Sequence, residues 1–171
     1  MEAKNGFSNK EITEIMHKYS DFVRKICFIY LRNYDDVEDV FQDVFIKLLQ
    51  KSPTFESEEH TKAWLCRVAI NKCKDTCKSY WRKNVFSFED NKEQMQYKPF
   101  ENYRENEIID VVLSLPTKYK DVIYLFYYED YSVQQIASLL KQKENTIYSK
   151  LHRARKLLKE KLGGDQNDYE F

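Results

Sequence analysis

The chain predicts an all-α fold: two small helical domains joined by a linker, the second a four-helix domain with a helix-turn-helix. Three observations carry this. The 171 residues hold only three glycines (Gly6, Gly163, Gly164) and three prolines (Pro53, Pro99, Pro116), so breakers are nearly absent from residues 7–162. Apolar residues recur at the three-and-four spacing of a buried helical stripe and do not alternate as in a strand. Thirteen Tyr and eleven Phe supply apolar surface enough for two compact cores.

Residues 9–31 place Ile12, Ile15, Met16, Tyr19, Phe22, Val23, Ile26, Cys27 and Tyr30 on one stripe and predict one long helix. Asn33 to Asp36 make a turn in which Asp35 or Asp36 is the expected cap of the next helix. That helix runs to about Gln50 on Val37, Val40, Phe41, Val44, Phe45 and Leu48, with Glu38, Asp39, Gln42, Asp43 and Lys47 outside. Residues 51–61 break the pattern with Pro53 and polar side chains. A third helix is expected from about Thr61 to Arg82, built on Ala63, Trp64, Val68, Ala69 and Cys73. These elements make a first domain over residues 1–83. Residues 84–105, with weak periodicity, scattered charge and Pro99, are expected to form the linker.

The second domain, residues 106–162, opens on Ile108, Ile109, Val112 and Leu113. It breaks at Leu115-Pro116-Thr117, where Pro116 suits the first turn of a helix running to Tyr128. Residues 131–155 then read as two short amphipathic helices around a tight turn. Ile136, Ala137, Leu139 and Leu140 give the first its apolar face; Ile147, Leu151 and Ala154 give the second a thinner one. Glu144, Asn145, Tyr148, Ser149, Lys150, His152, Arg153 and Arg155 are left outward. A helix with a thin buried stripe and a free face able to bond base edges and phosphates is what a major-groove reader needs. Gly163-Gly164 ends the last helix, and residues 163–171 are expected to be a frayed acidic tail.

Formal net charge is zero, but the charge is segregated. Residues 35–59 hold eight acidic against two basic side chains, and residues 62–83 hold seven basic against one acidic. Residues 86–110 return to −4, and residues 141–161 carry eight basic against two acidic. Two basic segments, each preceded by an acidic one, point to two DNA-facing surfaces and at least one surface for another partner. No apolar run reaches the roughly 18 residues of a membrane span, and no secretory leader is recognisable, so a cytoplasmic protein with no membrane partner is expected. Cys27, Cys66, Cys73 and Cys77 all fall in predicted helices and are expected to be reduced thiols packed as small apolar groups. Their spacing matches no familiar zinc pattern, so neither a metal nor another cofactor is expected.

With both halves in view the chain resembles a bacterial RNA polymerase sigma factor of the sigma-70 family, in its small extracytoplasmic-function type. Three motifs in order carry the resemblance over most of residues 10–162. Asp36-Val37-Glu38-Asp39-Val40-Phe41-Gln42-Asp43-Val44-Phe45 looks like the helix that grips the polymerase clamp. Ala63-Trp64-Leu65-Cys66-Arg67-Val68-Ala69-Ile70-Asn71 looks like the helix that reads and helps melt the minus-ten element. Leu115-Pro116 through Arg155 looks like the helix-turn-helix domain that binds the minus-thirty-five element.

The resemblance implies a transcription initiation factor, not an enzyme, with no catalytic residue. Its partners would be core RNA polymerase and promoter DNA, duplex and melted, and the family brings an anti-sigma protein into view. It places polymerase contacts on Glu38, Asp39, Gln42 and Asp43, a carboxylate-and-amide face suited to an Arg-rich surface. It places DNA contacts on Trp64, Arg67, Asn71, Lys74 and Lys78 in the first domain. In the second it places them on Tyr148, Ser149, His152 and Arg153, with Lys150 and Arg155 nearer the backbone. Lys72, Arg82 and Lys83 add phosphate contacts, and Phe55, Tyr80 and Trp81 add planar surfaces for unpaired bases. The loop from Phe55 to Lys62 sits where the family captures a flipped base, with three glutamates in unusual company for nucleic acid.

Two departures mark the turn. Lys141 stands where the family usually has glycine, at a cost of about 1 kcal/mol if the backbone is kept. Lys143 replaces a small capping residue, at about 1 kcal/mol more. Tyr148 replaces a commonly basic side chain, which hints at a divergent promoter element. The linker, at roughly 3.3 Å per extended residue, is long enough to span two turns of B-DNA, each about 34 Å.

Two rival readings stand beside this one. A stand-alone helix-turn-helix regulator would need neither the acidic second helix nor the tryptophan helix. A metal-dependent nuclease using Asp35, Asp36, Asp39 and Asp43 would lack a convergent base.

Overall fold

The computed structural model describes residues 7–31, 33–84 and 111–162, and among these every regular element is an α-helix. The chain divides into two units, Met1–Lys98 and Pro99–Phe171. The expected linker (apart from Asn84) and the expected tail, like residues 106–110, lie outside the described residues.

The first unit holds α1 (Asn9–Tyr30), α2 (Tyr34–Lys51) and α3 (Glu58–Asn84), each packed on the other two. Helix α1 starts where Ser8 takes extended backbone and its hydroxyl accepts the Glu11 amide, while the Glu11 carboxylate accepts the Ser8 amide. Both otherwise orphaned amides are thereby satisfied. Helix α2 is capped by Asn33, whose side chain accepts the Asp36 amide at 2.8 Å. The cap is therefore not Asp35 or Asp36. An N-cap must leave helical φ/ψ, as Asn33 does at φ −116°, ψ 150°, whereas both aspartates already lie inside the first turn. There they oppose the positive end of the helix dipole.

Ser52 closes α2 in the left-handed region at φ 39°, and Pro53 follows. Helix α3 begins at Glu58, three residues before the expected start, because Ser57 supplies a cap: its hydroxyl accepts the His60 amide at 3.1 Å. The core between the three helices contains Val23, Ile26, Val37, Val44, Leu48, Leu65 and Ile70, all essentially inaccessible. Cys27, Cys66 and Cys73 are buried within it, and Cys77, half-buried, points its thiol at the Tyr30 carbonyl. All four are free thiols; the contact with Cys27, then burial, pushes the Cys73 thiol far above its ordinary value.

The second unit holds α4 (Thr117–Tyr127), α5 (Val133–Leu140) and α6 (Glu144–Lys161), with residues 111–113 also helical. Pro116 serves as N-cap and not first-turn residue, its carbonyl accepting the Tyr119 and Lys120 amides. Helix α6 packs against both α4 and α5 over Val122, Ile123, Leu125, Ile136, Ile147, Leu151, Ala154 and Leu158. Burial of that stripe leaves Tyr148, Ser149, His152 and Arg153 of α6 exposed.

Candidate nucleic-acid interface

Helix α2 presents a ridge outward. Asp39 and Gln42 are exposed on it, and Ile46 and Leu49, 47% and 49% exposed, continue it at the same spacing. Sequence reasoning passed over these last two, although a signal existed: both are apolar yet fall off the buried stripe of Val37, Val40, Phe41, Val44, Phe45 and Leu48. Together they give this otherwise polar ridge an apolar end.

The other two candidate residues on α2 already have partners within the chain. Arg24 of α1 donates from Nε and Nη2 to the two Glu38 carboxylate oxygens at 2.7 and 3.1 Å, and its guanidinium lies 3.8 Å from the Phe41 ring centroid. That hydrogen bond raises the Arg24 pKa above its ordinary value. Asp43 accepts from Lys72 Nζ of α3 at 2.7 Å. One turn-pair away, Asp36 accepts the Tyr80 hydroxyl on both oxygens, at 2.7 and 2.9 Å. The hydrogen bond to Asp36 is the first cause holding the Tyr80 phenol above its usual range.

On α3, Trp64, Arg67, Asn71, Lys74 and Lys78 follow at three-and-four spacing and so share one side. Asn71 and Lys78 are exposed; Trp64, Arg67 and Lys74 are half-buried. The Arg67 Nε is buried with no acceptor inside the described residues. Trp64 meets the Phe55 ring edge-on at 5.9 Å, and Phe55 in turn contacts His60 at 5.6 Å and Phe7 at 5.9 Å. Thus the loop that carries Phe55 is pinned to α3 by edge-on ring contacts with Trp64 and His60. Of its three glutamates, Glu58 pairs with Lys18 of α1, and Glu59 is held below the usual carboxylate range by its own amide and by Ser57. They sit in the first turn of α3, where negative charge is favourable. Tyr80, through its bond to Asp36, is tied to α2. The side chains of Trp81, Arg82 and Lys83 lie outside the described ones.

In the second unit, Ser132 and Gln135 cap α5 reciprocally, at 3.2 and 2.8 Å. The helix ends with Lys141 in the left-handed region, φ 53° and ψ 49°. The Lys141 amide reaches Ser138 O and the Gln142 amide reaches Ala137 O, the paired bonds of a Schellman ending. So the left-handed turn is made here by a lysine and not by glycine. Lys143 then caps α6 by backbone alone, with no side-chain acceptor. On α6, Tyr148 is 58% exposed, and Ser149, His152 and Arg153 are exposed beside it. Lys150 is half-buried. Arg155 turns back on its own domain: Nε donates to the Tyr127 hydroxyl at 2.7 Å, and the guanidinium lies near the Phe126 and Tyr127 rings. It buttresses α6 from behind. No three His, Cys, Asp or Glu side chains converge on a metal-sized site among the described residues, and no described helix is long and apolar enough to cross a membrane.

Comparison with known proteins gives two family matches in order. Residues 15–83 match the family described as Sigma-70 region 2, and residues 105–158 match the one described as Sigma-70, region 4. The chain is 28% identical to RNA polymerase sigma factor SigV of Bacillus subtilis, covering 88% of this chain and 90% of that protein. To the ECF RNA polymerase sigma factor SigW of the same organism it is 25% identical, with 87% of each covered. Its fold is similar to that of the sigma factor RpoE, solved in complex with the anti-sigma factor NepR from Bartonella quintana. The TM-score is 0.69 at 22% identity, with 92% of this chain and 99% of that one covered.

Proposed function

The chain belongs to the sigma-70 family, and from that premise we propose that it is a sigma factor of the extracytoplasmic-function type, directing core RNA polymerase to specific promoters to initiate transcription. The observation that carries this is the pair of matches, region 2 over residues 15–83 and region 4 over residues 105–158, in that order on one chain. A stand-alone helix-turn-helix regulator has no use for the first of them, and that reading is set aside.

Each surface takes a role. Residues 1–83 form the domain that binds polymerase and the minus-ten element, and residues 106–162 the one that binds the minus-thirty-five element. On α2, Asp39 and Gln42 are the open polymerase contacts, with Ile46 and Leu49 continuing them; Glu38 and Asp43 flank this ridge. On α3, Asn71 faces a base edge and Lys74 and Lys78 face phosphates, beside Arg67 and Trp64. An amide is suited to a base edge, and ammonium groups supply the salt-dependent part of the affinity. On α6, Tyr148, Ser149, His152 and Arg153 enter the major groove, and Lys150 meets the backbone. Arg155 holds that helix in place. The protein is a cytoplasmic specificity subunit with no reaction of its own. An anti-sigma protein is its further partner, as NepR is for the similarly folded RpoE.

Run-off transcription with core polymerase on genomic fragments tests the function. Discrete transcripts should appear only when both components are present, and their start sites would define the promoter. Retention of a specific DNA site with neither transcript nor core binding would refute the proposal.

A further inference from the structure

Two of the polar contacts between α2 and α3 have a consequence that depends on the proposed function. Asp36 and Asp43 lie seven residues apart on α2, and Lys72 and Tyr80 lie eight apart on α3, so each pair falls along one edge of its helix. They meet in antiparallel register, Asp43 with Lys72 and Asp36 with Tyr80. This seam runs between the outward ridge of α2 and the basic side of α3. Lys72 stands beside the basic side, about 100° around α3 from Asn71, and Asp43 beside the ridge, about 100° around α2 from Gln42, so both point into the seam that separates the two surfaces.

We propose that the Asp43–Lys72 ion pair is an internal latch, in which Asp43 occupies the ammonium group that DNA phosphate would take and Lys72 occupies the carboxylate that polymerase would take. Each partner of the protein then competes with the latch. Polymerase drawing Asp43 away frees Lys72 for phosphate, and phosphate drawing Lys72 away frees Asp43. The two binding events are coupled through one contact, and by linkage the coupling is equal in both directions. Both side chains are part-exposed, Lys72 at 35% and Asp43 at 50%, so the latch opens without disturbing the core. The Asp36–Tyr80 bond keeps the seam aligned when it does.

The test uses the full chain and two ligands separately. Without polymerase, binding to a labelled promoter duplex is followed by anisotropy across a salt series. Asp43→Asn should tighten binding roughly two- to fivefold, the range of an exposed ion pair. The salt slope should also steepen by nearly one ion, about 0.9 for duplex DNA. In a Lys72→Gln background the same substitution should change neither. If the gain persists there, Asp43 acts by general repulsion of DNA and the latch is refuted. Without DNA, binding to core polymerase should tighten two- to fivefold in Lys72→Gln, since Asp43 is released; unchanged or weakened core binding also refutes it. Failure of the parent protein itself to bind core would count against the proposed function, and that is read before any variant.

Discussion

Replacing Lys141 by glycine should stabilise the helix-turn-helix unit. The residue holds φ 53° and ψ 49° at the end of α5, and the amides of Lys141 and Gln142 both bond back into the helix, so the left-handed geometry is required by the turn. A side chain with a Cβ pays about 1–2 kcal/mol there. Glycine removes that penalty but adds unfolded-chain entropy of roughly 0.5–1 kcal/mol. The net gain is about 0.5–1 kcal/mol, which slows amide exchange by opening roughly two- to fivefold. Both tryptophans, Trp64 and Trp81, precede this unit, so intrinsic tryptophan fluorescence does not report on it. Hydrogen exchange of peptides spanning α5 and α6 does. Lys141→Ala is the control, because it removes the charge and keeps the Cβ, and it should give no gain. Equal protection in the alanine and glycine variants would refute the argument from backbone strain and point to charge instead.

Ser132→Ala should lower the stability of the same unit by about 1 kcal/mol, by removing one half of a capping box, and should raise exchange across α5. Arg24→Ala removes a two-point bond to Glu38 and a cation over Phe41, with side chains only 29% and 22% exposed across the pair. The first unit should lose about 2–3 kcal/mol, read by urea unfolding of Trp fluorescence. Tyr80 has a raised pKa, so its bond to Asp36 contributes fully below the ordinary phenol value near 10 and is lost as pH rises through the folded value. An ultraviolet difference titration against Tyr80→Phe should show one phenol ionising late. Tyr148→Ala should relax base preference at its position in the minus-thirty-five element with the salt slope unchanged, whereas Arg153→Ala, if it meets a phosphate, should lower the slope by about 0.9. Both side chains are exposed, and circular dichroism should show the fold intact.

What the sequence determined by itself is local. Helix content, the buried stripes, the end of α5 and the motif order all follow from spacing along the chain, because a helix brings together residues three and four apart. The strained turn was legible only through the resemblance, which puts a glycine position at Lys141 and leaves open whether that backbone is kept; the left-handed angles at Lys141 are what the structure adds. Caps were less so: Asn33, Asp35 and Asp36 are all good cap chemistries, and only the backbone angle at Asn33 chooses among them. The partners of the charged groups were not legible at all. Glu38 meets Arg24 across 14 residues, Lys72 meets Asp43 across 29, Arg155 meets Tyr127 across 28 and Tyr80 meets Asp36 across 44. Such pairings depend on the rotation and register at which packed helices settle, and those are decided by core side chains interlocking, not by charge. A sequence shows which faces are polar; tertiary packing decides which polar groups are already spent and which remain open to a partner.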